Sequence, residues 1–261
     1  MSLVRYEFEG RLYPVNPKVD EILGLKAYPN VRDIPGPVDH VICSIPAPLV
    51  PQLIEDCVAK GVKVVHMFTA GFSETGEEEG VRLEAKILQI AKRGGIRLIG
   101  PNCMGIYCPS SHISFDEAFP KESGVVGFFS QSGANASELA HMGALRGIHF
   151  SKVVSYGNAL DLNEVELLEY FIQDPETEII AAYIEGVKDG QRFVRLLREA
   201  AQVKPTIVLK GGRTQSGTGA VASHTGSLAG EDEVFDALCR QMGAIRVYSL
   251  EELADVIQAK L

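Results

Sequence analysis

No apolar run in this chain approaches the ~18 residues that a membrane-spanning helix needs. No signal-peptide pattern opens it either, so a cytoplasmic address is expected. Cysteine is sparse and unpaired. Cys43, Cys57, Cys103, Cys108 and Cys239 include no Cys-x-x-Cys spacing. An odd number without a framework predicts reduced thiols and excludes a disulfide scaffold or a zinc site. The histidines show no metal-ligand spacing, so no metal site is expected in the chain. Basic charge is also short. The formal net charge of −9 at pH 7 argues against a nucleic-acid surface, but not against an anionic ligand at a helix start, where the local field outweighs a weak global one. There is no G-x-S-x-G elbow for a hydrolase triad and no G-x-x-x-x-G-K-[ST] phosphate loop. No G-x-G-x-x-G fingerprint opens the first unit, which disfavours a dehydrogenase. Solenoid repeats and low-complexity tracts are absent.

What is present is a globular composition. Of 261 residues, 46% are hydrophobic and 23% charged, enough for one large domain or two of roughly 100–150 residues. Short apolar runs predict strands at Gly10–Val15, His40–Ser44, Lys63–Phe68 and Ile96–Ile99. A second series is predicted at Val125–Phe129, Ser151–Ser155, Ile179–Ile184, Thr206–Leu209 and Ile245–Val247. Helical patterns fall between them at Leu49–Lys60, Glu77–Arg93, Ala134–Arg146, Leu162–Gln173, Gln191–Gln202, Asp232–Met242 and Leu250–Lys260. Such alternation predicts an α/β protein with parallel sheets and crossover helices. Its rhythm breaks near 109–124, so two doubly wound domains are expected, over residues 1–120 and 121–261.

Ligands of such sheets bind beyond the carboxyl ends of the strands. In the first half, Asn16-Pro17-Lys18, Ser44-Ile45-Pro46, Phe68-Thr69-Ala70-Gly71 and Gly100-Pro101-Asn102-Cys103 fall there. Lys18 reads equally as a phosphate partner or a solvated lysine. Asn102 bonds a ligand or satisfies its own turn, and Cys103 reads as structural. In the second half, Ser130-Gln131-Ser132-Gly133 joins a strand to a helix, so its amides and the helix dipole converge on an oxyanion; a plain serine cap is the alternative. Glu185 ends the strand Ile179–Ile184. Lys210-Gly211-Gly212-Arg213 leads toward Ser223-His224-Thr225-Gly226-Ser227, where one histidine stands among small residues. Such a histidine is open to a phosphoryl group, although an ordinary turn histidine has the same spacing. Neutral imidazole near its usual pKa of ~6.5 is a competent phosphoryl acceptor.

Together with Tyr13-Pro14-Val15-Asn16-Pro17-Lys18, Gly157-Asn158 and Tyr183-Ile184-Glu185-Gly186, these segments resemble the NDP-forming acyl-CoA synthetases, relatives of the succinyl-CoA synthetase alpha subunit. The resemblance runs from about residue 8 to the C-terminus. It implies a Rossmann-like CoA-binding domain followed by a flavodoxin-like ligase domain. It also implies interconversion of acyl-CoA, NDP and phosphate with organic acid, CoA and NTP, through an acyl phosphate and a phosphohistidine. His224 is then the phospho-carrier and Glu185 its orienting carboxylate. Ser130, Gln131, Ser132, Gly133 and Gly226 hold phosphate. Lys18, Asn16, Ser44, Pro46, Phe68, Thr69, Ala70 and Asn102 form the CoA site. The family's first strand and Gly-rich turn have no counterpart here, and Met1-Ser2-Leu3 is compatible with an expression remnant. The ATP-grasp part also has no counterpart, so ATP or ADP with Mg²⁺ is expected on an ATP-grasp partner, and an oligomer is expected. The alternative is a non-catalytic CoA or acyl-CoA sensing module, fused to or associated with another enzyme; a subunit that merely lends a surface is a third option.

Overall fold

A computed structural model describes residues 2–212 and 232–261. In chain order the elements are α1 (Ser2–Arg5), β1 (Glu21–Ile22), β2 (Leu25–Lys26), β3 (His40–Cys43), α2 (Val50–Lys60), β4 (Val64–Met67), α3 (Glu78–Gly94), β5 (Arg97–Ile99) and β6 (Gly105–Tyr107). They continue with β7 (Val126–Ser130), α4 (Gly133–Arg146), β8 (Phe150–Ser155), α5 (Glu164–Gln173), β9 (Ile179–Ile184), α6 (Gly190–Val203) and β10 (Thr206–Lys210). After the undescribed segment come α7 (Asp232–Met242), β11 (Ile245–Val247) and α8 (Leu250–Gln258). Among the described residues no helix is long and apolar enough to cross a membrane.

The larger sheet has the order β11-β10-β9-β7-β8-β6. Its first five strands in that order are parallel, and β6 runs antiparallel to β8. Counted from β7, the parallel strands follow 2-1-3-4-5, the flavodoxin-like order, whose switch point lies between the first and third strands, here β7 and β9. Every residue of β7 is buried because alternate side chains enter different cores. Phe128 packs with Leu139 of α4 and Leu253 of α8, while Phe129 packs with Phe171 of α5 and Leu197 of α6.

The smaller sheet, β3-β4-β5, is parallel throughout. Val65 and Met67 point from it into a core with Ile54 of α2 and Ile87 of α3. On its other face, Ile99 and Cys103 join the buried cluster that holds Phe129 and Leu168, so the two sheets share apolar packing. The cysteines are all free and buried. Burial pushes the Cys103 thiol up to about 12, in keeping with a structural role.

Two local expectations are corrected. No strand forms at Gly10–Val15; Val15 makes one isolated bridge to Tyr28. Pro14 has no N–H to donate to a ladder, and the pairing reduces to Tyr28 N–H on Pro14 O and Asn16 N–H on Tyr28 O, each at 2.9 Å. The chain instead turns back through β1 and β2 at Leu23-Gly24, where both residues have positive φ, as a two-residue hairpin requires. Three residues at β6 also pair where no strand was expected, and they belong to the larger sheet. Tyr6 crosses to the same side and meets Tyr107 of β6 edge-on, with ring centroids 6.4 Å apart.

β4 carries a buried histidine into the shared core. His66 Nδ1 lies 3.0 Å from His40 Nε2, and a Cβ at Gly105 would stand 2.7 Å from His66 Nε2. Burial, then the neighbouring His40, pushes the His66 imidazole down to about 3. An unfolded histidine titrates near 6.5, so between about pH 6.5 and 3 the unfolded chain binds more protons. Stability from this site is therefore complete above about pH 6.5 and falls on acidification, at up to roughly 1.4 kcal/mol per pH unit. Unfolding in urea between pH 7.5 and 4.5 is expected to show a shallower acid loss in His66→Gln than in wild type. Parallel curves contradict this.

Candidate active site

The switch point brings together two segments that lie far apart in sequence. β7 ends at Ser130 and turns through Gln131 and Ser132 into α4. Ser132 caps that helix, its Oγ accepting from Asn135 N–H at 3.3 Å, and Ala136 N–H closes the first turn on Ser132 O. The amides of Gly133 and Ala134 precede the first intrahelical bond and face outward, as first-turn donors do. Gly133 packs tightly, since a Cβ there would stand 2.6 Å from Met104 Cγ. Ser130 is fully buried and its hydroxyl donates to Ser132 O at 2.7 Å, so it shapes the turn from beneath.

Gln131 makes the decisive link. Its N–H donates to Tyr183 O at 3.1 Å. Its Oε1 accepts from Glu185 N–H at 2.9 Å and Gly186 N–H at 3.3 Å. The carboxylate-bearing end of β9 is thus pinned beside the α4 N-terminus. Glu185 is 5% exposed, and its Oε1 accepts from Tyr183 OH at 3.2 Å. Burial first, and then the Glu185 charge, pushes the Tyr183 phenol well above its ordinary value, so it remains a donor. Next to them, a Cβ at Gly211 would stand 2.5 Å from Tyr183 OH. Lys210, buried, donates to Gly211 O at 3.0 Å, and burial followed by Arg246 lowers its ammonium pKa. His224 and Gly226 lie outside the described residues; the chain reaches them 14 and 16 positions after Lys210.

A second group of predicted residues meets at the ends of β3, β4 and β5. Thr69 Oγ1 donates to Ile45 O at 2.7 Å, between Ser44 and Pro46, which are both exposed. Asn102 N–H donates to Thr69 O at 3.0 Å. Phe68 is half-buried and Ala70 exposed. The Asn16–Lys18 turn stands apart: Lys18 N–H donates to Asn16 Oδ1 at 2.9 Å, and among the described residues no hydrogen bond joins this turn to Ser44, Thr69 or Asn102. Lys18 is exposed.

Several residues were missed from sequence. Tyr183 was noted only within a motif and given no role; it lies in β9 two places before Glu185, which follows the strand, and a period of two puts both on one face, so that signal was available. Asn158 was noted only as part of a motif and Lys188 only as part of the loop after Glu185, and Glu74 and Glu84 not at all. The contacts of Lys188, Glu74 and Glu84 with Asn158 span 30 to 84 residues and leave no local pattern. The donor set at the switch point, made of amides, a hydroxyl and glycine, suits an oxyanion. Among the described residues no group of three His, Cys, Asp or Glu side chains is placed to hold a metal ion.

Comparison with known proteins agrees with this layout. The model of the succinyl-CoA ligase like flavodoxin domain matches residues 123–260, and that of a CoA binding domain matches residues 2–109. The chain is 47% identical over 254 residues to an ADP-forming acetate–CoA ligase of Methanocaldococcus jannaschii, covering 96% of this chain and 35% of that protein. It is 42% identical over 250 residues to the alpha subunit of ADP-forming acetate–CoA ligase II of Pyrococcus furiosus, covering 96% of this chain and 54% of the subunit. A solved structure of the dinucleotide forming acetyl-coenzyme A synthetase 1 of Ca. Korarchaeum cryptofilum, in complex with phosphate and ADP, superposes with a TM-score of 0.88 at 39% identity. It is covered over 55% of its length, against 97% of this chain. The chain therefore spans only about a third to a half of these relatives.

Proposed function

The chain belongs to the NDP-forming acyl-CoA synthetase family, and on that premise we propose that it is the CoA-binding and phosphohistidine portion of an acid–CoA ligase that works with an ATP-grasp partner. The observation that carries the proposal is the Gln131 bridge, which holds the Glu185 main chain beside the amides of the α4 start. A phosphoryl oxyanion at Ser132 and Gly133 then lies next to a carboxylate able to orient an imidazole. In the synthetic direction, the NTP terminal phosphoryl moves to one nitrogen of neutral His224, releasing NDP. The acid carboxylate next takes the phosphoryl group, forming acyl phosphate and freeing the imidazole. The CoA thiol attacks the acyl carbon and phosphate leaves, carrying the thiol proton. Glu185 accepts the N–H of the second ring nitrogen throughout, which fixes the tautomer.

Phosphoryl transfer depends mainly on positioning and charge stabilisation, which amides at a helix start supply without a cation. The loops at Ser44–Pro46, Phe68–Ala70 and Asn102 receive the CoA thioester end, and Lys18, on its separate turn, pairs with a CoA phosphate. The nucleotide and its Mg²⁺ belong to the ATP-grasp partner. Acetate, named in the relatives' activities, is the first acid to try. With the partner present, ATP alone should release about one ADP per chain as His224 is phosphorylated, and continued ADP release should require this chain, an acid and CoA together. ADP release that persists without the chain, or sustained release by the complex in the absence of acid and CoA, contradicts the assignment.

A further inference from the structure

Asn158 stands where several loops meet, and the chemistry above gives it no part. It follows β8 and is 2% exposed. Its Nδ2 donates to Glu74 Oε2 at 2.5 Å and to Glu84 Oε2 at 3.2 Å. Its Oδ1 accepts from Asn102 Nδ2 at 3.4 Å. The backbone of the same residue reaches further: its N–H donates to Pro101 O at 3.0 Å, and its carbonyl accepts from Lys188 Nζ at 3.1 Å. Glu74 in turn accepts Gly71 N–H at 2.6 Å and Phe72 N–H at 3.2 Å. One amide side chain therefore holds the loop that continues from Phe68–Ala70 and touches the turn that carries Asn102. Its backbone is tied separately to the loop that begins at Glu185.

We propose that Asn158 is a positioning residue for CoA, whose side chain keeps the Gly71–Glu74 loop and Asn102 in register with the phosphoryl site. The inference rests on the CoA assignment made above. Two carboxylates converge on one Nδ2; Glu84 Oε2 also accepts from Ser73 N–H at 3.1 Å and Ser73 Oγ at 2.6 Å, so Asn158 is the donor that the two carboxylates share. Burial raises the Glu74 pKa, but the Asn158 amide and the Gly71 and Phe72 N–H groups outweigh it and hold the carboxyl below its ordinary range. Glu74 is thus a charged acceptor near neutrality, and charge-assisted bonds of this kind are the strong ones. Removing the donor leaves two carboxylates facing each other, and a carboxylate in its place adds a third.

The test is calorimetric titration of the full chain with CoA, with a thermal melt of each variant. N158A is expected to weaken CoA binding roughly tenfold, the scale of one lost hydrogen-bond constraint, and N158D to weaken it further. The double variant E74Q/N158D restores a donor–acceptor pair with position 74 while the new carboxylate at position 158 still faces Glu84, so it is expected to bind better than N158D but short of wild type. That rescue is what a merely structural contribution to stability does not give. Phosphorylation by the partner and ATP should stay within about twofold of wild type in N158A, because the Glu185 loop is tied to the backbone of Asn158. An unchanged affinity in N158A, or a double variant no better than N158D, overturns the proposal while CoA binding stands. If N158D does not fold, N158A against N158S carries the same comparison, with the serine hydroxyl expected to retain part of the affinity. A wild-type chain that binds no CoA contradicts the CoA assignment itself and the inference with it.

Discussion

Glu185→Gln is expected to lower kcat of the reconstituted complex by about 10²–10³, the usual cost of losing one preorganised electrostatic partner, and to leave the KM for CoA within about twofold. The change keeps an oxygen for the Tyr183 hydroxyl, now 3.2 Å from Oε1, and leaves the Gln131 bridge intact because that bridge uses the Glu185 main chain. What it removes is charge. A phosphorylated imidazole with its second nitrogen protonated is cationic, and in a site that is nearly closed to water a carboxylate stabilises it far more than an amide does. Tyr183→Phe removes only a neutral donor and should cost a few-fold at most. Steady-state kinetics of the two variants separate the contributions. A Glu185→Gln enzyme within threefold of wild type means that the carboxylate does not face the histidine.

The second large effect is on folding. Gly157→Ala should lose about 3 kcal/mol or more, combining left-handed backbone strain of roughly 1–2 kcal/mol with overpacking of roughly 1–3 kcal/mol. Gly157 has φ of +53°, and a Cβ would lie 2.2 Å from Pro101 O and 2.3 Å from Asn102 O. These are main-chain atoms and cannot swing away. Gly24 provides the comparison, since its φ is +77° but nothing lies within 4 Å of a Cβ there. Gly24→Ala should therefore cost only the backbone term of about 1 kcal/mol. Urea unfolding of both variants, at matched pH, measures the difference. Equal losses would mean that the Gly157 turn relaxes away from Pro101. Because Asn102 sits in the displaced turn, the surviving Gly157→Ala chain should also bind CoA weakly.

These cases show what a sequence discloses and what it hides. β7, β9 and β10 are nearly continuous apolar runs because both faces of the larger sheet are covered, so their ends were legible to within a residue or two. The Ser-Gln-Ser-Gly turn and the position of Glu185 followed from those ends. The bond that makes them one site did not: Gln131 and Glu185 are 54 residues apart, and nothing local requires a glutamine to face β9. Asn158 was hidden in the same way, since its partners lie on α3, after β4, after β5 and after β9. β6 escaped because it has only three residues, Gly105–Tyr107, and pairs antiparallel at a sheet edge. The strand expected at Gly10–Val15 failed for the opposite reason. Its apolar residues are real, but Pro14 withholds a donor and the pairing stops at one bridge.

The proposed function turns on phosphorylation of His224 beside the switch point. Phosphoryl labelling of the chain by the proposed ATP-grasp partner and radiolabelled ATP, with wild type and His224→Ala run side by side, tests it most directly. An acid-labile, base-stable label is expected on wild type alone, discharged when acid and CoA are added. An unlabelled wild-type chain, in a complex shown to form and to bind ATP, or a label that survives His224→Ala, contradicts it.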